Sequence, residues 1–125
     1  MSLNAILGTA GENAAAEYLA QAGYRIVARN FRTPLGEIDL IARDGDCLCF
    51  IEVKTRRSSS AGSPGESVHF FKRRKLVKLA FWYMKFTHQT ASLARFDVVG
   101  LSRQDDGELR CTLLKNAFDL NDAGY

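Results

Sequence analysis

The sequence lacks the features that mark disulfide-rich, zinc-binding and membrane-spanning proteins. Among its 125 residues are two prolines and one tryptophan, and its three cysteines include no C-x-x-C pair. An odd cysteine count argues against a disulfide framework and suits a reducing cytosol, and the unpaired spacing argues against structural zinc.

Long apolar runs are also missing. The most apolar segment, 79–84, has six residues and is closed by Lys85, whereas a membrane span needs about 20. No secretory signal is visible at the N-terminus. We therefore expect a cytoplasmic protein with no membrane partner.

The remaining composition is typical of a soluble globular domain. Apolar residues make up 46% of the chain and charged residues 25%, close to the averages for folded proteins. A chain of this length fits one domain that can bury a core without covalent cross-links. We expect a single domain over residues 1–125.

The positive charge is concentrated in one part of the chain. The net charge is only +3, but residues 54–78 contain eight basic residues and a single acid, so this segment carries +7 and the rest −4. A localised basic field is expected where a polyanion binds. A solvated helix face is the alternative interpretation of such a run. The candidate nucleic-acid-binding residues are Arg56, Arg57, Lys72, Arg73, Arg74, Lys75 and Lys78.

Hydrophobic periodicity predicts seven elements in the order αβββαββ. They are a helix opened by a capping box at 9–12 and ended at Gly23, strands over 24–32, 37–42 and 47–53, a helix over 68–86, and strands over 95–101 and 109–114. Residues 58–66 are expected to form a mobile loop and 116–125 a C-terminal tail. This order favours an α/β domain with a mixed sheet of about five strands flanked by helices.

The second helix has an apolar stripe and a basic side. The stripe is expected to comprise Leu76, Val77, Ala80, Phe81 and Met84. Trp82 and its aromatic neighbours are expected in the core rather than on a base-stacking surface. Asp97, in the strand that follows, is expected to be a structural or edge-strand residue.

Acidic residues lie on two neighbouring predicted strands. Side chains alternate between the faces of a strand, so Glu37 and Asp39 share one face of their strand, as do Glu52 and Lys54 of theirs. A hairpin turn centred on 44–45 places Glu37 opposite Glu52. Asp39 is then diagonal to Glu52. Three carboxylates and one ammonium are therefore expected on one side of the hairpin.

This arrangement suits catalysis with a divalent metal. Like charges placed opposite each other destabilise a sheet, and a cation offsets the repulsion. Carboxylate oxygens are ligands for Mg²⁺ or Mn²⁺, so Asp39 and Glu52 are candidate metal ligands. Lys54 is a candidate to orient a water or stabilise developing charge. Glu37 is a candidate base, extra ligand or partner of the lysine.

A solvent-exposed strand would explain the same residues without any chemistry. The neighbouring positions argue against that alternative, because Ile38, Leu40 and Phe50 make both faces of the hairpin largely apolar. Unpaired charges are costly in such a place. Glu12 remains open between two interpretations, a capping residue of the first helix and a further metal ligand.

Several segments together resemble one known family. They are Gly11-Glu12, Ala15-Ala16, Tyr18-Leu19, Gly23-Tyr24, Arg29-Asn30-Phe31-Arg32, residues 36–42, Glu52-Val53-Lys54-Thr55-Arg56, Arg95-Phe96-Asp97-Val98-Val99 and Asn116-Ala117-Phe118. In this order they resemble the bacterial YraN family. That family is assigned to the PD-(D/E)xK nuclease-like superfamily and is similar to archaeal Holliday-junction resolvases.

The resemblance implies a restriction-endonuclease-like fold and a set of site residues. A glutamate of the first helix joins an aspartate, a glutamate and a lysine in those enzymes, and these roles fall on Glu12, Asp39, Glu52 and Lys54. The proline that names the superfamily is absent beside Asp39, where Ile38 stands. Related resolvases act as two-fold dimers, so the resemblance also implies a homodimer, although no residue identifies its interface.

The leading functional hypothesis is a metal-dependent endonuclease acting on DNA, with branched or repair intermediates as candidate substrates. The main alternative is a non-catalytic nucleic-acid-binding module on a nuclease scaffold. A third is a protein-interaction domain whose basic helix meets an acidic partner. Fold alone does not decide among them, because function resides in the site.

Overall fold

A computed structural model describes residues 3–57 and 70–118 of the chain. The elements are α1 (Leu3–Gln21), β1 (Arg25–Thr33), β2 (Gly36–Asp44), β3 (Cys47–Arg57), α2 (Phe70–Phe86), β4 (Leu93–Arg103) and β5 (Leu109–Phe118). All seven predicted elements are present, in the predicted order. The predicted loop 58–66 and the first two residues of the predicted second helix lie outside the described residues.

The five strands form one mixed sheet in the order β1-β2-β3-β4-β5. Neighbouring strands are antiparallel except β3 and β4, which are parallel. A parallel pair needs a long crossover connection, and α2 lies within the segment joining β3 to β4. The expected α/β fold with a central mixed sheet flanked by helices is confirmed.

One helix packs on each face of the sheet. Alternation along β3 shows this directly, because Leu48 and Phe50 belong to the cluster around α2, whereas Cys49 and Ile51 belong to the cluster around α1. β3 is therefore buried on both sides. Burying each large apolar side chain contributes about 1.5–3 kcal/mol relative to exposure.

Two aromatic residues of α2 are not where the sequence pattern placed them. Phe81 is 49% exposed and Trp82 is 43% exposed, so the prediction that they lie in the core was wrong. Tyr83 is buried instead, with Leu76 and Met84 on the sheet-facing side of the helix. Consecutive residues of a helix point about 100° apart, so three aromatic residues in a row cannot all face the sheet.

The first helix begins earlier than expected. It starts at Leu3 rather than at a cap formed by Thr9, so the predicted capping box lies inside the helix and that interpretation was wrong. Gly11 serves close packing there: a Cβ atom would lie 3.1 Å from Thr55 Oγ1 and 3.2 Å from Leu101 Cδ1. Its missing side chain lets α1 approach β3 and β4 closely.

The β2–β3 turn differs from the prediction by one position. Asp44 pairs with Cys47 and Leu40 with Ile51, so 45–46 are the central residues and the predicted register was wrong. Gly45 has a φ of 60°, and glycine at the first central position is typical of a type II′ hairpin. The register shift is two residues, which leaves every side chain on its predicted face.

The last strand extends past its predicted end. β5 reaches Phe118, so residues 116–118 belong to the sheet and the prediction that they form a tail was wrong. Asn116 has a φ of 53° and lies in an irregularity of the β4–β5 ladder. Its backbone N–H donates to Asp97 Oδ1 at 2.9 Å, which explains how the strand tolerates this break.

Asp97 anchors a buried polar network at one end of the sheet. Its side chain accepts hydrogen bonds from Tyr24 Oη at 2.9 Å and from Arg95 Nε at 2.9 Å. Arg95 also pairs with Asp44 at 2.8 Å. β4 is an interior strand, so the structural interpretation of Asp97 holds and the edge-strand alternative does not.

No helix within residues 3–57 and 70–118 is both long and apolar enough to span a lipid bilayer.

The Asp97 network predicts a large loss of stability when its acid is removed. Asp97→Ala should lower the free energy of unfolding by about 3–5 kcal/mol, because the buried Tyr24 hydroxyl and the Asn116 N–H would lose their acceptor and Arg95 would keep only Asp44 as an ion-pair partner. Tyr24→Phe should cost about 1–3 kcal/mol, because the hydroxyl both donates to Asp97 and accepts from Arg95. Urea denaturation measures both, with Asp46→Asn in the exposed turn as a control that stays within about 0.5 kcal/mol of wild type. A loss at Asp97 no larger than at Asp46 would contradict this role.

Candidate functional site

The candidate site lies where β2 and β3 separate. Their ladder ends at the pair of Leu40 and Ile51. Beyond it, a side-chain oxygen of Asp39 accepts a hydrogen bond from the Val53 backbone N–H at 2.8 Å. A pocket of about 560 Å³ opens here. Its charged lining residues are Glu37, Asp39, Glu52, Lys72 and Lys75.

Three carboxylates converge beside this pocket. One oxygen from each of Glu12, Glu37 and Asp39 lies within 4.8 Å of the others. Glu12 comes from α1, nine residues after the helix begins, so its alternative role as a capping residue is excluded. The set offers only hard oxygen ligands at a spacing that small side-chain movements can close around one Mg²⁺ or Mn²⁺.

Glu52 is held by cations on the same side of the site. It is only 6% exposed. Its carboxylate forms ion pairs with Lys72 of α2 and with Lys54, the latter at 3.3 Å. Glu52 is therefore next to the triad of carboxylates, but its negative charge is already offset within the protein.

The electrostatics of Asp39 reflect this crowding of acids. Burial is the largest cause, and the negative charge of Glu52 the second, of a rise in the pKa of Asp39 from 3.8 to about 7. The hydrogen bond from Val53 acts in the opposite direction, and the charges of Glu12 and Glu37 add to the rise. The positive charges nearby therefore do not fully offset the negative charge of ionised Asp39.

The pKa values of Lys54 and Lys72 shift in opposite directions. The neighbouring Lys72 and burial lower the pKa of Lys54, against the attraction of Glu52. Burial also acts against charge on Lys72, but the hydrogen bonds with Glu52 and Lys54 and the nearby negative charges outweigh it and raise its pKa. Lys72 is thus the firmly charged counter-ion of Glu52.

All four predicted catalytic residues lie around the separation of β2 and β3. Glu37 is the most exposed of the acids and also pairs with Arg32 at 2.8 Å. The shifted register brings Asp39, rather than Glu37, nearest to the position opposite Glu52. The predicted metal ligands fall into two groups. Glu12 and Asp39 join Glu37 in the triad, whereas Glu52 contacts the lysines.

The predicted nucleic-acid-binding residues fall into separate positions. Lys72 lies inside the site and Lys75 at its edge, whereas Arg74 and Lys78 are exposed on α2. The guanidinium carbon of Arg73 lies 5.6 Å from the centre of the Phe118 ring. The side chains of residues 56 and 57 lie outside the described part of the chain.

Sequence reasoning assigned Lys72 to phosphate binding and missed its ion pair with Glu52. The two residues are 20 positions apart, and no local pattern links them. The exposed aromatics of α2 were also missed, although their position beside lysines at helical spacing was a usable signal.

Comparison with known proteins identifies relatives over nearly the whole chain. Residues 11–101 match the model of a family described as uncharacterised protein family UPF0102. A UPF0102 protein of Symbiobacterium thermophilum is 53% identical over 112 residues, which cover 90% of this chain and 95% of that protein. One of Desulfosudis oleivorans is 49% identical over 114 residues, which cover 91% of this chain and 90% of that protein. The chain belongs to the UPF0102 family, the YraN family that its sequence resembles.

Proposed function

We propose that this protein is a metal-dependent endonuclease that hydrolyses DNA phosphodiester bonds, with branched or repair intermediates as its substrates. The observation that carries the proposal is the convergence of Glu12, Glu37 and Asp39 beside a lysine-bound glutamate. A helix rich in basic residues borders the same pocket.

The acids of this site fit a divalent metal. Asp39 would hold Mg²⁺ or Mn²⁺ together with Glu12 and Glu37, and Glu52 is the further ligand expected from sequence. Bound there, the ion would polarise a phosphoryl oxygen and lower the pKa of a water. The elevated pKa of Asp39 supports this assignment, because a carboxylate short of positive charge gains from a nearby cation.

The protein's own groups would position the substrate and stabilise charge. Glu52 holds the Lys54 ammonium at 3.3 Å, so this lysine is fixed beside the pocket. There it would stabilise negative charge developing on the phosphate, or orient the attacking water. Lys75 and Lys78 would contact flanking phosphates and set the position of the strand without reading its sequence.

A non-catalytic nucleic-acid-binding module is the second candidate. The specific observation in its favour is that two lysines already neutralise Glu52 without any metal. The three remaining carboxylates count against it, because a protein that only binds DNA would gain affinity by losing them.

The first prediction concerns cleavage. Asp39→Asn should lower the rate of DNA cleavage in Mg²⁺ or Mn²⁺ by at least about 100-fold, as expected when a catalytic group is removed, and Glu52→Gln should have a comparable effect. Labelled flap, four-way-junction, linear duplex and single-stranded substrates are compared on a gel. Asp46→Asn, the same change in an exposed turn, is the control. Equal residual cleavage by wild type and both variants would point to a contaminating nuclease and contradict the proposal. Salt-dependent binding without cleavage by wild type would favour the second candidate.

The second prediction concerns pH. A carboxyl whose pKa is higher in the folded chain than in the unfolded chain adds stability below the unfolded value and loses it as pH rises through the folded value. For Asp39 this window runs from about 3.8 to about 7. Without metal, Asp39→Asn should therefore be more stable than wild type at pH 8 by about 1–3 kcal/mol, after discounting for solvent screening.

Thermal unfolding in EDTA between pH 4 and pH 8 measures this difference. The gap between Asp39→Asn and wild type should close toward pH 4, where Asp39 is protonated in the folded chain and the unfolded chain is near its own pKa of 3.8. Added Mn²⁺ should raise the melting temperature of wild type at pH 8 and have little effect on the variant. A gap that is constant across this range would exclude the proposed charge crowding at Asp39.

A further inference from the structure

The outward side of α2 has an unusual composition. Seven residues between 72 and 86 are exposed, and every one of them is either basic or aromatic. This basic–aromatic face consists of Arg74, Lys75, Lys78, Phe81, Trp82, Lys85 and Phe86. With about 100° between successive residues, these positions fall in one continuous sector of the helix.

The aromatic members expose large areas to water. Phe86 is 72% exposed, Phe81 49% and Trp82 43%. Rings on a soluble protein that cluster rather than scatter are a sign of a binding surface. The core does not account for them, since the opposite side of α2 already packs on the sheet through Leu76, Leu79 and neighbouring residues.

The lysines of this face indicate which kind of partner it binds. The cores of protein interfaces are depleted of lysine, whereas this face places Lys78 and Lys85 among the rings. α2 contains no acidic residue between 70 and 86. The surface that combines stacking rings with backbone-binding cations is the one that binds unpaired nucleic acid.

An anionic membrane surface is the competing partner with similar chemistry. A helix that lies in a membrane interface inserts its main apolar side. That side of α2 is occupied by the sheet, with Val77 and Leu79 fully buried. Unpaired nucleic acid therefore fits better.

We propose that the basic–aromatic face of α2 binds an unpaired DNA strand that leads out of the cleavage site. This inference rests on the proposed function and specifies its substrate: a duplex with an adjoining single-stranded segment. Bases in a duplex are stacked on one another and offer no π-face to Trp82 or Phe86, whereas unpaired bases do.

The position of the face relative to the pocket supports this assignment. Lys75 belongs to both, because it lines the acidic pocket and lies near the N-terminal end of the face. From Lys75 to Phe86 the helix rises about 16 Å, at about 1.5 Å per residue. That length accommodates a few nucleotides of an unpaired strand. A strand whose phosphate lies in the pocket can thus follow α2 to its aromatic end.

The chain offers an internal probe for the test, because Trp82 is its only tryptophan. Binding is measured in the Asp39→Asn background with EDTA, so that no cleavage occurs. Oligo-dT, a blunt duplex and a duplex with a dT overhang are titrated while the intrinsic fluorescence of Trp82 and the anisotropy of labelled DNA are followed. Oligo-dT and the overhang should quench Trp82, and the blunt duplex should not.

Substitutions separate stacking from charge. Phe86→Ala and Trp82→Ala should each weaken binding of oligo-dT by about 10- to 100-fold, the range for loss of one stacked base, and change blunt-duplex affinity by less than about twofold. Trp82→Tyr should restore most of the affinity. Lys78→Gln and Lys85→Gln should weaken both DNA forms and each lower the salt slope by about one. Leu35→Ala, at an apolar residue that is 52% exposed in the β1–β2 connection, is the control without effect.

The outcomes distinguish this inference from the proposed function. Two results would overturn the inference even if metal-dependent cleavage were shown. One is unchanged Trp82 fluorescence at saturating oligo-dT, and the other is an equal loss of affinity for oligo-dT and for the blunt duplex in Phe86→Ala. Binding of phosphatidylserine vesicles that quenches Trp82 while oligo-dT does not would overturn it in favour of a membrane surface. Stacking without any cleavage by the wild-type protein would support binding of an unpaired strand by this face and overturn both the endonuclease and the link between the face and a cleavage site.

Discussion

Four carboxylates lie close together where β2 and β3 separate, and the surrounding structure has to offset their mutual repulsion. Glu12, Glu37 and Asp39 place oxygens within 4.8 Å of one another, and Glu52 lies close enough to raise the pKa of Asp39. Ion pairs with Lys54 and Lys72 offset the charge of Glu52. A fold keeps such a cluster only if the remaining structure forces its members together, since their mutual repulsion favours separation.

Asp39 and Asp97 lie in the same sheet, but their carboxylates have different surroundings. Asp97 accepts hydrogen bonds from Tyr24, Arg95 and Asn116, so its oxygens have matched donors within the protein. Asp39 accepts one from Val53 and lies among the charges of Glu52, Glu12 and Glu37, with Lys72 also near it. The Asp97 network stabilises the fold, whereas the carboxylate of Asp39 accepts from a single backbone donor in the described part of the chain and its pKa is raised by burial and by Glu52.

Local patterns in the sequence predicted the elements and the faces of the strand side chains well, because both follow from helical and strand periodicity. They predicted the turn poorly. An Asp-Gly pair was expected to occupy both central positions, but Gly45 takes the first of them and shifts the register by two residues. The acids still met on one side, because an even shift preserves the faces.

Other features depend on tertiary position, which local patterns specify poorly. Residues 9–12 fit a capping box, yet α1 starts six residues earlier, and a capping motif cannot reveal that it lies within a helix. The contact of Lys72 with Glu52 depends on where α2 lies against the sheet. The exposure of Trp82 depends on the rotation of α2 about its own axis, which the buried Tyr83 fixes.

The location of opposite charges on the two sides of the pocket restricts how a polyanion can approach. Glu12 and Glu37 repel phosphates arriving from the side of α1 and β2, and the cations of the site lie on β3 and α2. Lys72 neutralises Glu52 within the pocket, while Lys75 at the edge is available to a phosphate. One helix thus supplies both the counter-ion of the site and the surface along which a strand can run. Under the proposed function, a phosphate would reach the acids only where a metal offsets their charge, and binding on α2 would then depend on occupation of the carboxylate triad.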